Sequence, residues 1–291
     1  NAVKRYPRLM LLVWVSVLVS FALQQLDLYD TAETATLTRS LWLQELFHNA
    51  QSFTGLLKNI GYEQFLAHNT PTPLNPVLWT ISTELKGSLL VFFILLIAPK
   101  SKWRYAIYAA FLLYYFKGHF VLFISGIILA DLGNSQLRQL KISWTGWALL
   151  VLISLCFGSY KIGSELTIWQ WMEPLEKITK PNFIGAVSLL FLVCYHSKLQ
   201  EALNKAPVQW LGKISYALYL FHLLIVCELV CPLFNLIYQF SGNYHASAFV
   251  AMACAIPVTF FICRYAFTPL DEWSVAISNR LGNRASRLLN G

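Results

Sequence analysis

A single carboxylate interrupts one of the most apolar stretches of this chain. From Val77 to Ala98 the sequence is long enough, at about 1.5 Å per helical residue, to cross a hydrocarbon core of roughly 30 Å, yet it carries Glu84. An ionisable side chain at such a place costs at least about 2.5 kcal/mol and is kept where it has a partner or a use. Lys86 is a weak candidate partner, because positions two apart do not share a helix face. The plainer alternative is that Glu84, within two turns of the start of the span, reaches back to the headgroups. A carboxylate whose pKa is raised by a low-dielectric setting can serve as a general base. Glu84 is thus a candidate catalytic residue.

Two further groups have chemistry in their spacing. Arg5-Tyr6-Pro7-Arg8 sets two guanidiniums three residues apart at the start of an apolar helix, on one face. Arginine grips phosphate as a two-pronged fork and a helix N-terminus adds attraction for anions, so a phosphorylated ligand fits. Anchoring to lipid headgroups is the alternative. Farther on, Ser215, Tyr219 and His222 recur at spacings of four and three, putting two hydroxyls and an imidazole on one face. Interhelical hydrogen bonds, worth about 0.6 kcal/mol each, are the structural alternative. His119, His196 and His245 fall at span ends and read as interfacial. His48 and His68 lie in a polar loop, with His68 near enough to Asn75 in sequence for an acid-base role. Phe123 through Ala130, with small residues four apart at Gly126 and Ala130, reads as a helix-packing face.

The elements that must position these groups are apolar spans. The chain is 57% apolar and 12% charged, with a mean hydropathy of +0.53, which marks a polytopic membrane protein. Runs at 9–23, 77–98, 103–116, 119–132, 143–160, 183–196, 214–240 and 246–267 give about eight spans. We therefore expect an all-α transmembrane helix bundle in a single membrane domain over 1–291, with an extracytoplasmic loop at 24–76 and a cytoplasmic tail at 268–291. The net charge of +8 is dispersed in short groups and offers nucleic acid no contact series. Lys4, Arg5, Arg8, Lys100, Lys102, Arg104, Arg138, Lys141, Lys198, Lys205, Lys213, Arg264, Arg280, Arg284 and Arg287 fall on one side. Arg39, Lys58, Lys117, Lys161, Lys177 and Lys180 fall on the other, with acids such as Asp30, Glu33 and Glu165. The positive-inside rule then puts both ends of the chain in the cytoplasm and the long acidic loop outside, and the expected location is the plasma (inner) membrane. The six cysteines sit in apolar runs and read as small buried hydrophobes. Cys227 and Cys231 share a face, but no further ligand completes a metal site.

Three segments together resemble the acyltransferase-3 family of integral membrane acyltransferases. They are Arg5-Tyr-Pro-Arg8 opening a span, Trp79-Thr-Ile-Ser82-Thr-Glu84 within the next, and Gly212-Lys-Ile-Ser215-Tyr216-Ala-Leu-Tyr219-Leu-Phe-His222 near the end. Phe123 through Ala130 resembles the family's glycine-containing span. The resemblance implies transfer of an acyl group, commonly acetyl, from acyl-CoA to a hydroxyl of a glycan or related acceptor. Arg5 and Arg8 would handle the phosphorylated donor, and Glu84 would belong to the reaction centre or its immediate support, orienting or replacing a histidine base that takes the proton of the attacking hydroxyl. From its polar helix face His222 is a further catalytic candidate, and Trp79, Ser82, Ser215, Tyr216 and Tyr219 are candidates to contact substrate or support the site. Acyl-CoA is then a substrate, no cofactor is held permanently, and the partners are the bilayer, the donor and the hydroxyl acceptor. The family places a functional histidine in a span ahead of the Arg pair, so two spans are expected to precede Asn1. The chain departs from the family at Leu85-Lys86-Gly87-Ser88, where aromatic residues are usual, and its ending Phe267-Thr-Pro269-Leu-Asp-Glu272 matches loosely. A different class, a proton-coupled transporter or lipid-linked-sugar exporter with Glu84 and His222 as its relay, would show internal repeats, and none is found. A non-enzymatic scaffold gives no use to the buried Glu84 and His222.

Overall fold

The computed structural model describes residues 2–29, 31–46, 51–66, 74–98, 103–135, 142–160 and 167–290. His48, His68, Asp30, Lys100, Lys102, Arg138, Lys141, Lys161 and Glu165 lie outside the described residues. In chain order the helices are α1 (Ala2–Gln25), α2 (Ala32–Thr38), α3 (Leu41–Gln44), α4 (Phe53–Lys58), α5 (Trp79–Ile97), α6 (Arg104–Tyr114), α7 (Phe120–Ser135) and α8 (Trp144–Gly158). They continue with α9 (Glu173–Glu176), α10 (Pro181–Tyr195), α11 (Ser197–Leu203), α12 (Ala206–Ile225), α13 (Cys231–Ser241), α14 (Tyr244–Ile262) and α15 (Thr268–Asn290). No strand occurs among the described residues, and the chain is an all-α polytopic membrane protein.

Every apolar run expected to span is helical, but length separates them. Four helical stretches, Lys4–Gln25, Pro76–Ile97, Ala206–Ser241 and Tyr244–Arg284, are long and apolar enough to cross alone. Trp169–Glu176 and Pro181–Tyr195, bent by 99°, together make a fifth candidate, while Phe120–Gly133 and Trp144–Gly158 are apolar but shorter. The 11 residues of α6 reach only about 16 Å, roughly half a hydrocarbon core.

The contacts divide the chain into two compact units, Asn1–Leu85 with Trp210–Gly291, and Lys86–Gln209. In the first, the core joins Leu12, Val13 and Val17 of α1 to Leu78 and Ile81 at the start of α5, and to Leu220, Phe221 and Leu224 of α12. Buried polar groups tie these helices by backbone carbonyls. Asn75 Nδ2 donates to Leu220 O at 2.8 Å, Tyr216 Oη to Leu9 O at 2.9 Å and Ser274 Oγ of α15 to Arg8 O at 2.9 Å. The expected tail at 268–291 is mostly α15, packed along α1 so closely that Lys4 lies against Gly282.

Proline explains two local departures from the α-helix. A proline inside a helix supplies no N–H to the carbonyl four residues back and crowds it. Pro232 follows a π-turn at Val226–Val230, and Pro269 follows another at Cys263–Phe267. In both places the widened turn lets the helical path continue past the proline instead of breaking. Thus the chain remains helical beyond Phe267, where the sequence alone ended the last span.

In the second unit, α8 and α10 pack at small residues. A Cβ on Gly185 would stand 2.4 Å from Gly158 N, and Asn182 Nδ2 donates to Gly158 O at 3.1 Å. Arg104 Nε pairs with Asp131 at 2.7 Å, and Tyr108, Ile94, Ile124 and Ile127 form the core beside that pair. The expected packing face at Gly126 and Ala130 is corrected. A Cβ on Gly126 would meet nothing within 4 Å, because both residues border a cavity of about 400 Å³. Close approach occurs instead at Gly87, against the Phe123 ring, and at Gly133, against Tyr195. Cys227, Cys231 and Cys263 are buried as expected, whereas Cys194 and Cys254 lie exposed on the helix surfaces. Since the wall facing Gly185 is backbone, Gly185→Leu is expected to lower stability by about 1–3 kcal/mol, read as thermal unfolding of the detergent-solubilised protein.

Candidate active site

Arg5 and Glu84 meet. One guanidinium nitrogen, Nη2, donates to Glu84 Oε1 at 2.5 Å, joining the first turns of α1 to the second turn of α5. The two side chains are 29% and 37% exposed, so the pair keeps some water. It is therefore neither a weak surface contact nor a fully desolvated pair. The partner for Glu84 that the sequence demanded is thus a cation from 79 residues earlier, with Lys86 two positions away in the second unit.

The pair borders a cavity of about 410 Å³, within the size range of small-molecule sites. Arg5, Arg8 and Lys213 bring cations to it, Glu84 and Asp271 bring carboxylates, and Ser215, Tyr216, Gly212 and Leu9 complete the wall. Each group is there for a local reason. Arg5 and Arg8 lie one turn apart on α1, and Lys213 through Tyr216 lie in the third turn of α12. Asp271 arrives on α15 because the chain stays helical through Pro269, and Arg8 lies within electrostatic reach of it. Lys213 Nζ also pairs with Glu272 at 2.7 Å on the exposed side. Two of the three cations are thus paired with carboxylates, and the fork of Arg8 is the group best placed to meet the phosphate of an anionic ligand.

The remaining candidates sit elsewhere in the same unit. Tyr219 Oη bonds to Val77 O and Thr80 Oγ1, and Ser82 Oγ donates to Phe65 O at 2.9 Å, so both brace the start of α5. Trp79 is more than half exposed. His222 Nδ1 is 2.7 Å from Tyr219 O. A carbonyl only accepts, so this contact requires a proton on Nδ1 and leaves Nε2 as the basic nitrogen in the neutral ring. Nε2 makes no hydrogen bond among the described residues, and His222 does not border the cavity. Five of the candidates, Arg5, Arg8, Glu84, Ser215 and Tyr216, therefore surround one space, while Trp79, Ser82, Tyr219 and His222 stand apart from it.

Two carboxylates, Asp131 and Glu228, went unremarked in the sequence, and Asp271 was noted only within the loosely matching ending. All lie in or beside apolar runs, so the rule that singled out Glu84 applies to them equally. No group of three or more metal-binding side chains occurs among the described residues.

The family model described as an acyltransferase domain, Acyl_transf_3, matches residues 2–266. No curated protein and no solved structure matches the chain.

Tyr216 and Ser215 differ in what their hydroxyls do, and this is measurable. Tyr216 Oη joins α12 to α1, whereas Ser215 Oγ bonds to Gly212 O within its own helix at 2.8 Å. Tyr216→Phe is expected to cost about 1 kcal/mol of stability and Ser215→Ala to stay within about 0.5 kcal/mol, compared by unfolding in one detergent.

Proposed function

Since the chain belongs to the acyltransferase-3 family and is a membrane acyltransferase, we propose that it transfers an acyl group, acetyl above all, from acyl-CoA to a hydroxyl of a cell-envelope or secretory glycan. The observation that carries this reading is the convergence of Arg5, Arg8 and Lys213 on one cavity of substrate size at the start of α1. In this reading that end of the bundle is cytoplasmic, in a plasma (inner) membrane, and the cations hold the phosphates of the donor.

The chemistry requires a hydroxyl oxygen to attack the thioester carbonyl, the carbon–sulfur bond to break, and the hydroxyl proton to pass to the departing thiolate. A base must hold that proton between the two steps. His222 is the base in this reading, with its Nδ1 proton bound to Tyr219 O and Nε2 free to accept. Glu84 then serves the donor side. Bound to Arg5, it fixes the direction of the guanidinium and keeps the charge of the cavity from repelling itself. Arg8 remains to meet phosphate, with Lys213, paired to Glu272, beside it, and Ser215 and Tyr216 border the same space.

The test is transfer of label from radiolabelled acetyl-CoA in membranes carrying the full-length protein. Label is expected on a glycan fraction. Arg8→Ala is expected to raise the KM for the donor about tenfold to a hundredfold, the range for loss of a charged hydrogen bond. Glu84→Gln is expected to act on the same KM, and His222→Gln is expected to lower kcat by about 10²-fold or more. Absence of transfer from a correctly inserted protein, or Arg8→Ala leaving the donor KM unchanged, would overturn this reading.

A further inference from the structure

Two buried polar atoms, two turns apart on the α12–α13 path, have no hydrogen-bond partner among the described residues. They are Oε1 of Glu228 and Nδ2 of Asn235. Glu228 lies in the π-turn ahead of Pro232, and Asn235 lies in α13 and is 4% exposed. Seven residues separate them, about 10 Å along a helix axis. Both meet the same neighbouring stretch. The Tyr29 phenol is within electrostatic reach of Glu228, and Thr34 Oγ1 of α2 donates to Asn235 Oδ1 at 2.7 Å. Tyr29 packs against the buried cluster of Ala35, Leu223, Cys227 and Cys231, and burial pushes its phenol well above the usual range, with the neighbouring carboxylate adding to the rise. Buried polar groups are nearly always satisfied, and an ionisable one inside a membrane span is kept for a use.

The two orphans are of opposite kinds. Glu228 Oε1 accepts and Asn235 Nδ2 donates, so a cation would satisfy only the first and an anion only the second. Hydroxyls do both. Asp27 and Arg39, the non-glycine residues with left-handed backbone among those described (φ 52° and 54°), lie on either side of α2, the short helix whose Thr34 meets Asn235.

We propose that this pair receives the hydroxyl-bearing head group of the acyl acceptor, a sugar whose hydroxyls donate to Glu228 Oε1 and accept from Asn235 Nδ2. The inference rests on the acyl-transfer reading and assigns that reaction its second substrate's site. It shares no residue with the cavity of Arg5 and Arg8.

The test uses the full-length protein in phosphatidylcholine vesicles and dicyclohexylcarbodiimide, an apolar reagent that modifies protonated carboxyls within membranes. Octyl glucoside, below its solubilising concentration, is compared with octyl phosphocholine, which has the same tail and no hydroxyl, and modification of Glu228 is quantified by peptide mass spectrometry. Glu228 is expected to be modified in vesicles without either amphiphile. Octyl glucoside is expected to protect it about tenfold more than octyl phosphocholine, the difference one good hydrogen bond makes, and Asn235→Leu is expected to abolish that difference. Equal protection by the two amphiphiles, as for a corner filled by water or hydrocarbon, would overturn the proposal. So would a Glu228 that stays unmodified without them. Acetyl transfer measured on the same preparations separates the two readings: transfer without sugar-specific protection defeats only the acceptor site, and protection without transfer defeats its assignment to this reaction.

Discussion

The ion pair between Arg5 and Glu84 is the constraint on which the first unit depends. Each charge alone would be costly in an apolar bundle, and together they are tolerated because the pair keeps partial access to water. The pair fixes where the first turns of α1 stand against α5, and α12 and α15 complete the wall from the other sides. With Glu84 neutralising Arg5 and Glu272 pairing with Lys213, Arg8 supplies most of the cavity's attraction for an anion. One interaction thereby serves the packing of two helices and the charge of the space they enclose.

Proline supplies the second organising device. Pro232 and Pro269 each follow a π-turn, and each turn lies close to a carboxylate, Glu228 within the first and Asp271 just after the second. Widening a helical turn rotates every later side chain relative to the earlier ones. A path that would have been uniform in an ideal helix thus presents Lys213 to Tyr216 at one level and Glu228 and Asn235 at another. The carbonyl-bound hydroxyls of Tyr216, Tyr219, Ser82 and Ser274 hold the intervening stretches without using charge.

Much of this was legible in the sequence, and the limits have physical causes. The helical class followed from composition, and the likeness to a membrane acyltransferase followed from the Arg5-to-Arg8, Trp79-to-Glu84 and Gly212-to-His222 segments. That Glu84 needed a partner was readable from its apolar surroundings. Which partner it takes was not, because Arg5 is distant in sequence and only tertiary packing joins them. Hydropathy located the α6 segment but overestimated its reach, since apolar character does not fix where a helix ends. The π-turns at Val226–Val230 and Cys263–Phe267 had a partial signal in Pro232 and Pro269, whose missing N–H favours an adjustment one turn earlier, although α14 passes Pro257 without one. Glu228 had the same signal as Glu84, a carboxylate in an apolar run, and only the structure distinguished its unpaired oxygen from the paired one.

The most direct test of the account is an exchange of the two charges. Arg5→Glu and Glu84→Arg are made singly and together in the full-length protein, and the melting temperature of the solubilised protein is compared with wild type. The account predicts that each reversal alone lowers it, by setting like charges face to face, and that the double variant recovers most of the loss. A double variant as unstable as the sum of the two single ones would show that the pair does not hold α1 to α5.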